Sequence, residues 1–389
     1  MRVEEVFSLV LELIKAALWN YPLSEADQDD YEELIKQSVV LLTAPIYNSL
    51  QLSSELREEW EKTIFRKFSY NVRYNREQSA LPIKVPYVIL KGTSAAQYYP
   101  YPQYRTLGDI DIMTNRGEDF DIAYNSLIQA GYQVKKNNNR EIGLVKNDVM
   151  IEIHRYFASL NDVDQAQYMD DLIIKNINST HVLPDMVNGL VLLEHIGQHL
   201  ENGLGLRQIV DWMMFVHKCL PDEKWPEFQL LAKNIGLETM AIVTTRMCEL
   251  YLGLPDRDWC KSANDDLCIQ LMNYILDCGN FGIKKTEDSD ISENAFAMAR
   301  TPKAAFELLQ RRGIANWEAA QNYTVLRPFA WVYQAGRYLN RGLNRENAIS
   351  ELKREYEEAK KRNEMFDALG VKRLSKGLVV YKNGRYVIE

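Results

Sequence analysis

Apolar residues recur at helical spacing through the first eighty positions, at Val6, Leu9, Val10, Leu13 and Ile14 and again at Ile35, Val39 and Val40. Side chains three and four residues apart share one helix face, so the pattern predicts a helical cap over residues 1–80. Glu4, Glu5, Glu12 and Lys15 fall inside the apolar pattern of MRVEEVFSLVLELIKAALW. That suits an amphipathic helix better than the uncharged core of a signal peptide.

Over residues 81–160 the period shortens. VPYVIL, GDIDIMT, GYQVKK, IGLVKN and VMIEIHRYF read as strands, and FDIAYNSLIQA reads as a helix ending at Gly131. Helical spacing returns over 161–370, broken at Pro184, Pro221, Pro255 and the polar stretch KKTEDSDISEN, which predicts an exposed loop. In ELKREYEEAKKRNEMF, Glu357 with Lys361 and Glu358 with Arg362 form i,i+4 pairs that predict a solvated face. Residues 371–389 hold two β-rich runs around Asn383-Gly384, a dipeptide that supplies the positive φ values of a two-residue hairpin turn. The predicted class is α+β: a helical cap, a mixed sheet domain, a helical C-terminal domain and a terminal hairpin.

Composition narrows the function. Apolar residues make up 46% and aromatics 11% of the 389 residues, far richer than chains that stay unfolded. The net charge of −8 argues against a broad basic footprint, and so against a long nucleic-acid partner. Five cysteines without a C-x-x-C pair suggest neither a zinc ribbon nor a disulfide framework but free thiols in a reducing cytoplasm. No stretch has the length of a membrane span, so a soluble cytoplasmic protein is expected.

The chemistry concentrates in YVILKGTSAAQYYPYPQYRTLGDIDIMT, residues 87–114. On a strand, alternate side chains share a face, so Asp109 and Asp111 project together while Ile110 and Ile112 enter the core. Two carboxylates so close repel each other unless a cation neutralises them, and a hard ion that also takes phosphate oxygens fits: Mg2+, with Mn2+ as a substitute. Glu152 and His154 share a face of VMIEIHRYF; beside the Asp strand, Glu152 would complete the ligand set and accept a hydroxyl proton. The Lys91-Gly92-Thr93-Ser94 turn follows a strand and precedes a short helix, so its amides suit phosphate oxygens, with Lys91 and Arg105 as the nearest cations. His195 and His199 share one face of their helix, but Ile196 after the first histidine excludes the H-E-x-x-H zinc motif.

Taken together, KGTSAAQYYPYPQYRTLGDIDIMT, IEIHRYF and HIGQHLENGLGLRQIVDW resemble a bacterial family of uncharacterised nucleotidyltransferases, within the superfamily that includes DNA polymerase beta. The resemblance spans roughly residues 80–220. It implies a nucleotidyltransferase-type sheet domain in which Asp109 and Asp111 match the metal pair, Glu152 the third carboxylate, and Gly92 and Thr93 the phosphate turn. Thr93 stands where serine is commoner, and the stretch from Gly92 to Asp109 is longer than in compact versions of the pattern. The resemblance also places the His195–Asp211 helical segment at the cleft, so that Ser94, His154 and Arg207 join Lys91, Gly92, Thr93 and Arg105 as expected nucleotide contacts. The implied reaction moves an NMP, AMP by expectation, from a nucleoside triphosphate to a small-molecule, sugar or protein acceptor with two Mg2+ and release of pyrophosphate. Two other readings stand beside it: a degenerate module that binds nucleotide or a partner without turnover, and a metal-dependent phosphohydrolase using His195, His199 and Asp211.

Overall fold

A computed structural model describes residues 5–23, 25–200, 203–284, 302–343, 348–371, 379–382 and 384–388. The chain divides into two compact units, residues 1–284 with 369–389 and residues 285–368.

In the first unit the cap forms α1 (Glu5–Trp19), α2 (Gln28–Lys36) and α3 (Ser54–Ser79). Asp27 caps α2 through a reciprocal capping box with Asp30, and Ser53 caps α3 by accepting from the Leu56 amide. The apolar spacing through Ile35, Val39 and Val40 does not produce one helix. α2 stops at Lys36, Ser38 takes a left-handed φ of 59°, and Val40–Thr43 is a separate 3-10 turn. Gln37 fixes that break, because its side chain accepts from the Leu206 amide and donates to the Ile275 carbonyl.

The sheet consists of β1 (Tyr87–Leu90), β2 (Ile110–Thr114), β3 (Gln133–Asn137), β4 (Glu141–Lys146) and β5 (Val149–His154) in the order β1-β2-β5-β4-β3. Only β2 and β5 run parallel, and the other three pairings are antiparallel. Between β1 and β2 lies the short α4 (Gly92–Ala96), and α5 (Glu118–Gln129) crosses from β2 towards β3 at the far edge.

Register sorts the two faces of this sheet. Ile110 pairs with Ile151 and Ile112 with Ile153, and both isoleucines of β5 face Leu144 and Ile142 of β4. These residues join Leu127 and Tyr132 in one buried apolar cluster. The opposite face therefore carries the polar row: Asp111 beside Glu152 beside Gly143, and next to it His154 beside Glu141.

Six further α-helices are described in this unit: α6 (Val163–Lys175), α7 (Asp185–His199), α8 (Leu206–Cys219), α9 (Trp225–Asn234), α10 (Glu238–Leu252) and α11 (Asp265–Cys278). α7 and α8 approach closely at Gly189, where a β-carbon would lie 2.2 Å from Phe215 Cζ. The terminal hairpin pairs β6 (Val379–Lys382) with β7 (Arg385–Ile388), and Tyr386 Oη donates to Asp170 Oδ2 at 2.9 Å. Lys382 opposite Arg385 and a φ of 81° at Gly384 agree with a two-residue turn; Asn383 itself lies outside the described residues.

The second unit contains α12 (Pro302–Asn316), α13 (Glu318–Asn322), α14 (Ala330–Leu343) and α15 (Ala348–Ala368), with Trp317 stacked on Tyr333 at 5.1 Å. Glu357 and Lys361 of α15 are exposed, as a solvated face requires, whereas Arg362 is 4% exposed and departs from it. Of the polar stretch KKTEDSDISEN, residues 285–294 lie outside the described residues. No helix among the described residues is long and apolar enough to cross a membrane.

Candidate active site

The polar row of the sheet forms one wall of a cleft of about 400 Å³ whose other wall comes from α7, α8 and Phe281. Asp109, immediately before β2, and Asp111 within it both line the cleft, with Glu152 and His154 of β5. The two acidic strands are neighbours, and Asp111 stands directly opposite Glu152.

Three groups of like charge in so small a space perturb one another. The Asp109 carboxyl is raised above its ordinary value, first by the charge of Asp111 and then by burial. Glu152 is pushed up to about 7 by burial and by Asp109 and Asp111. Burial pushes Asp111 the same way, but Lys91 and His154 outweigh it and hold this carboxyl at about 2. Lys91 Nζ lies 2.8 Å from Asp111 Oδ1, and His154 Nε2 meets the same oxygen at 2.8 Å, necessarily as the donor to an ionised carboxylate. On its other side His154 Nδ1 lies 3.3 Å from Glu141 Oε2 without a hydrogen bond.

Asp111, Glu152 and His154 offer ligand atoms within 4.8 Å of one another. Carboxylate oxygens gathered with an imidazole, in a place where their charges raise two of the three acids, match the donor set of a divalent cation such as Mg2+ or Mn2+. Asp109 adds a further carboxylate at the cleft and stands outside that compact trio, which takes His154 in addition to the acids expected from the sequence.

The phosphate turn differs from expectation. Gly92 lines the cleft with a φ of 45°, and a β-carbon there would come within 2.5 Å of Tyr74 Oη, so the position admits only glycine. Thr93 and Ser94 are not in the lining. The Thr93 hydroxyl donates to Gln78 Oε1 at 2.8 Å, and that of Ser94 to Asn188 Oδ1 at 2.6 Å, which ties α4 to α3 and α7. Arg105 is likewise committed. Its Nε and Nη2 donate to the two oxygens of Asp211 at 3.0 and 2.5 Å, its Nη1 donates to the Thr106 carbonyl, and the side chain is buried. The sequence pattern shows which residues carry hydroxyls and charges, but not which partners have already claimed them.

The helical wall corrects the hydrolase reading. His195 and His199 meet through their Nε2 atoms at 2.9 Å, while Asp211 is held by Arg105 and by the Tyr99 hydroxyl, which donates at 2.6 Å. These three residues do not form a ligand group among the described residues, where only Asp111, Glu152 and His154 do. Both histidines are neutral, His199 being lowered to about 3 by burial and by Lys91 and Arg207. Arg207 reaches the cleft as expected, over the ring of Phe281 at 5.8 Å.

Sequence reasoning missed Glu141, Lys136, Arg140, Gln198 and Phe281 in the lining. Strand alternation would have found Glu141, which shares a face with Gly143 and pairs with His154. Lys136, which pairs with Glu141 and lies 3.5 Å from Glu152, comes into place through a register shift in β3 that no periodicity shows.

No curated protein and no solved structure matches the chain. A family model described as uncharacterised nucleotidyltransferase matches residues 41–253, from the 3-10 turn after α2 to the end of α10, which contains the five-stranded sheet and all of the cleft lining except Phe281. The match covers more than half of the chain, and the protein belongs to this nucleotidyltransferase family and is a transferase.

Proposed function

We propose that the protein transfers a nucleotidyl group, AMP by preference, from a nucleoside triphosphate to a hydroxyl or phosphate acceptor of small-molecule, sugar or protein origin. One observation carries the reading: Asp111 and Glu152 stand side by side on parallel strands, with Asp109 two residues before Asp111, all on one cleft wall.

Asp109, Asp111 and Glu152 would hold divalent metal, which supplies charge neutralisation for the phosphates and for the oxygens that attack and leave. The chain's own groups do the rest. Lys91 and His154 keep Asp111 ionised across the physiological range and fix the direction of its Oδ1. Glu152, beside Asp111 on the cleft wall, would accept the proton of an acceptor hydroxyl. Gly92 lets the Tyr74 hydroxyl sit against the turn and donate to the Asp109 carbonyl, which ties the start of α4 to the acidic strand. His195 and His199, both neutral and the second against the Phe281 ring, close the opposite side with groups that can donate or accept without adding charge.

The test is calorimetric titration of each of the four NTPs in magnesium buffer into the wild type and an Asp109→Ala/Asp111→Ala variant. Metal-dependent binding that the variant loses supports the reading and opens an acceptor screen by pyrophosphate release. Absence of binding by any NTP overturns it in favour of a module without turnover.

A further inference from the structure

We propose that Lys67 and Arg207 form an anion subsite beside Asp109 that takes the di- or triphosphate portion of the nucleotide. The inference rests on the nucleotidyl-transfer reading and gives its phosphate tail a place that the sequence motif did not indicate. The side chains of the motif are committed elsewhere: Lys91 to Asp111, Thr93 to Gln78, Ser94 to Asn188 and Arg105 to Asp211.

Arg207 has no hydrogen-bond or ion-pair partner among the described residues, and its Nε is buried without one. It sits in the first turn of α8, a helix of 14 residues, where the positive end of the helix dipole makes a cation unfavourable. Gly108 is exposed and bears no side chain; a β-carbon there would lie 3.7 Å from Arg207 Nη1. The backbone leading into Asp109 is thus open on the side that Arg207 faces.

Lys67 approaches from the other direction. One helix face of α3 lies along the segment before β2: Asn71 accepts from the Leu107 amide, Tyr70 donates to the Gly108 carbonyl and Tyr74 to the Asp109 carbonyl. Lys67 stands three, four and seven residues before them, on that same face. It has no ion-pair partner among the described residues, and after burial the charges of Arg66 and Arg207 are what most lower its proton affinity. Unpaired cations gathered half-buried next to a helix N-terminus repel one another until an anion joins them. A diphosphate or triphosphate carries the charge to do so and reaches from Gly108 to the Asp109 carboxylate.

Pyrophosphate and tripolyphosphate, titrated in EDTA buffer into the full-length wild type, Lys67→Gln, Arg207→Gln and Arg207→Lys, test the subsite without the metal. ATP and AMP are then titrated with magnesium. The expected result is pyrophosphate binding by the wild type, weakened about tenfold in each neutral variant and largely kept in Arg207→Lys, with ATP losing more affinity than AMP. No pyrophosphate binding by the wild type, or unchanged binding in both neutral variants, overturns the proposal. If Arg207→Gln does not fold, the half-exposed Lys67→Gln carries the test alone. Pyrophosphate held through Lys67 and Arg207 with no NTP bound keeps the subsite and sinks nucleotidyl transfer. NTP binding that needs Asp109 and Asp111 but neither cation does the reverse.

Discussion

Two groups of buried charge border the same cleft and behave in opposite ways. Around Asp211 every valence is closed: Arg105 grips both carboxylate oxygens, Tyr99 donates to one of them, and the spare guanidinium nitrogen meets a backbone carbonyl. Around Asp111 the acids outnumber their partners, so that Asp109 and Glu152 are raised in proton affinity while Lys91 and His154 crowd a single oxygen. The residue types are nearly the same. The closed network locks the 98–105 segment to α8, whereas the open one stores electrostatic cost.

The largest effect should come from the open group. Asp111→Asn is expected to lower pyrophosphate release by about 10³-fold or more while the protein stays folded, since it removes the carboxylate common to both strands' charge pattern. Near-full activity in a steady-state assay would erase the contrast. Breaking the closed group should instead act on stability: Asp211→Ala leaves a buried guanidinium without its partner and is expected to cost about 3–5 kcal/mol in urea denaturation. Gly92→Ala, which forces a β-carbon against Tyr74 Oη at a φ of 45°, should cost about 1–3 kcal/mol in the same measurement.

A third buried acid sharpens the comparison through pH. Glu194 accepts from the Ser159 amide at 2.7 Å and from Gln198, and burial pushes its carboxyl up to about 7. Because the folded state then binds the proton more tightly than the unfolded chain, whose value is near 4.5, this group's stability is present below about 4.5 and is lost as pH rises to about 7. Wild type relative to Glu194→Gln should therefore lose about 3 kcal/mol across that window in denaturant melts at stepped pH. A flat difference would place Glu194 with the closed group. The smallest effect on stability is expected at Asp109→Asn, which removes a like charge from Asp111 and should slightly stabilise the metal-free protein in the same melts.

Much of this was legible before the fold. Alternation in IDIMT and VMIEIH put Asp111, Glu152 and His154 on the polar face, because a strand allows its side chains only two directions. At Thr93 and Ser94 the local pattern stops short for a complementary reason. A hydroxyl's availability depends on residues far away in sequence, here Gln78 and Asn188, about which the local pattern says nothing. In the Tyr-rich run, Tyr98 and Tyr99 are buried in hydrogen bonds to Asp185 and Asp211, and only Tyr101 of these three is well exposed.

By itself, then, the sequence determined the α+β class, the family, and the acids that share the sheet's polar face, since periodicity and motif spacing are local properties that survive without a fold. Tertiary structure alone decided that β5 lies parallel to β2, that Arg105 serves Asp211, and that Arg207, in the same cleft as Asp109, has no hydrogen-bond or ion-pair partner among the described residues. Pairing between distant groups is settled by which surfaces the chain buries together. The charge that remains unpaired after that settlement marks where a ligand is wanted.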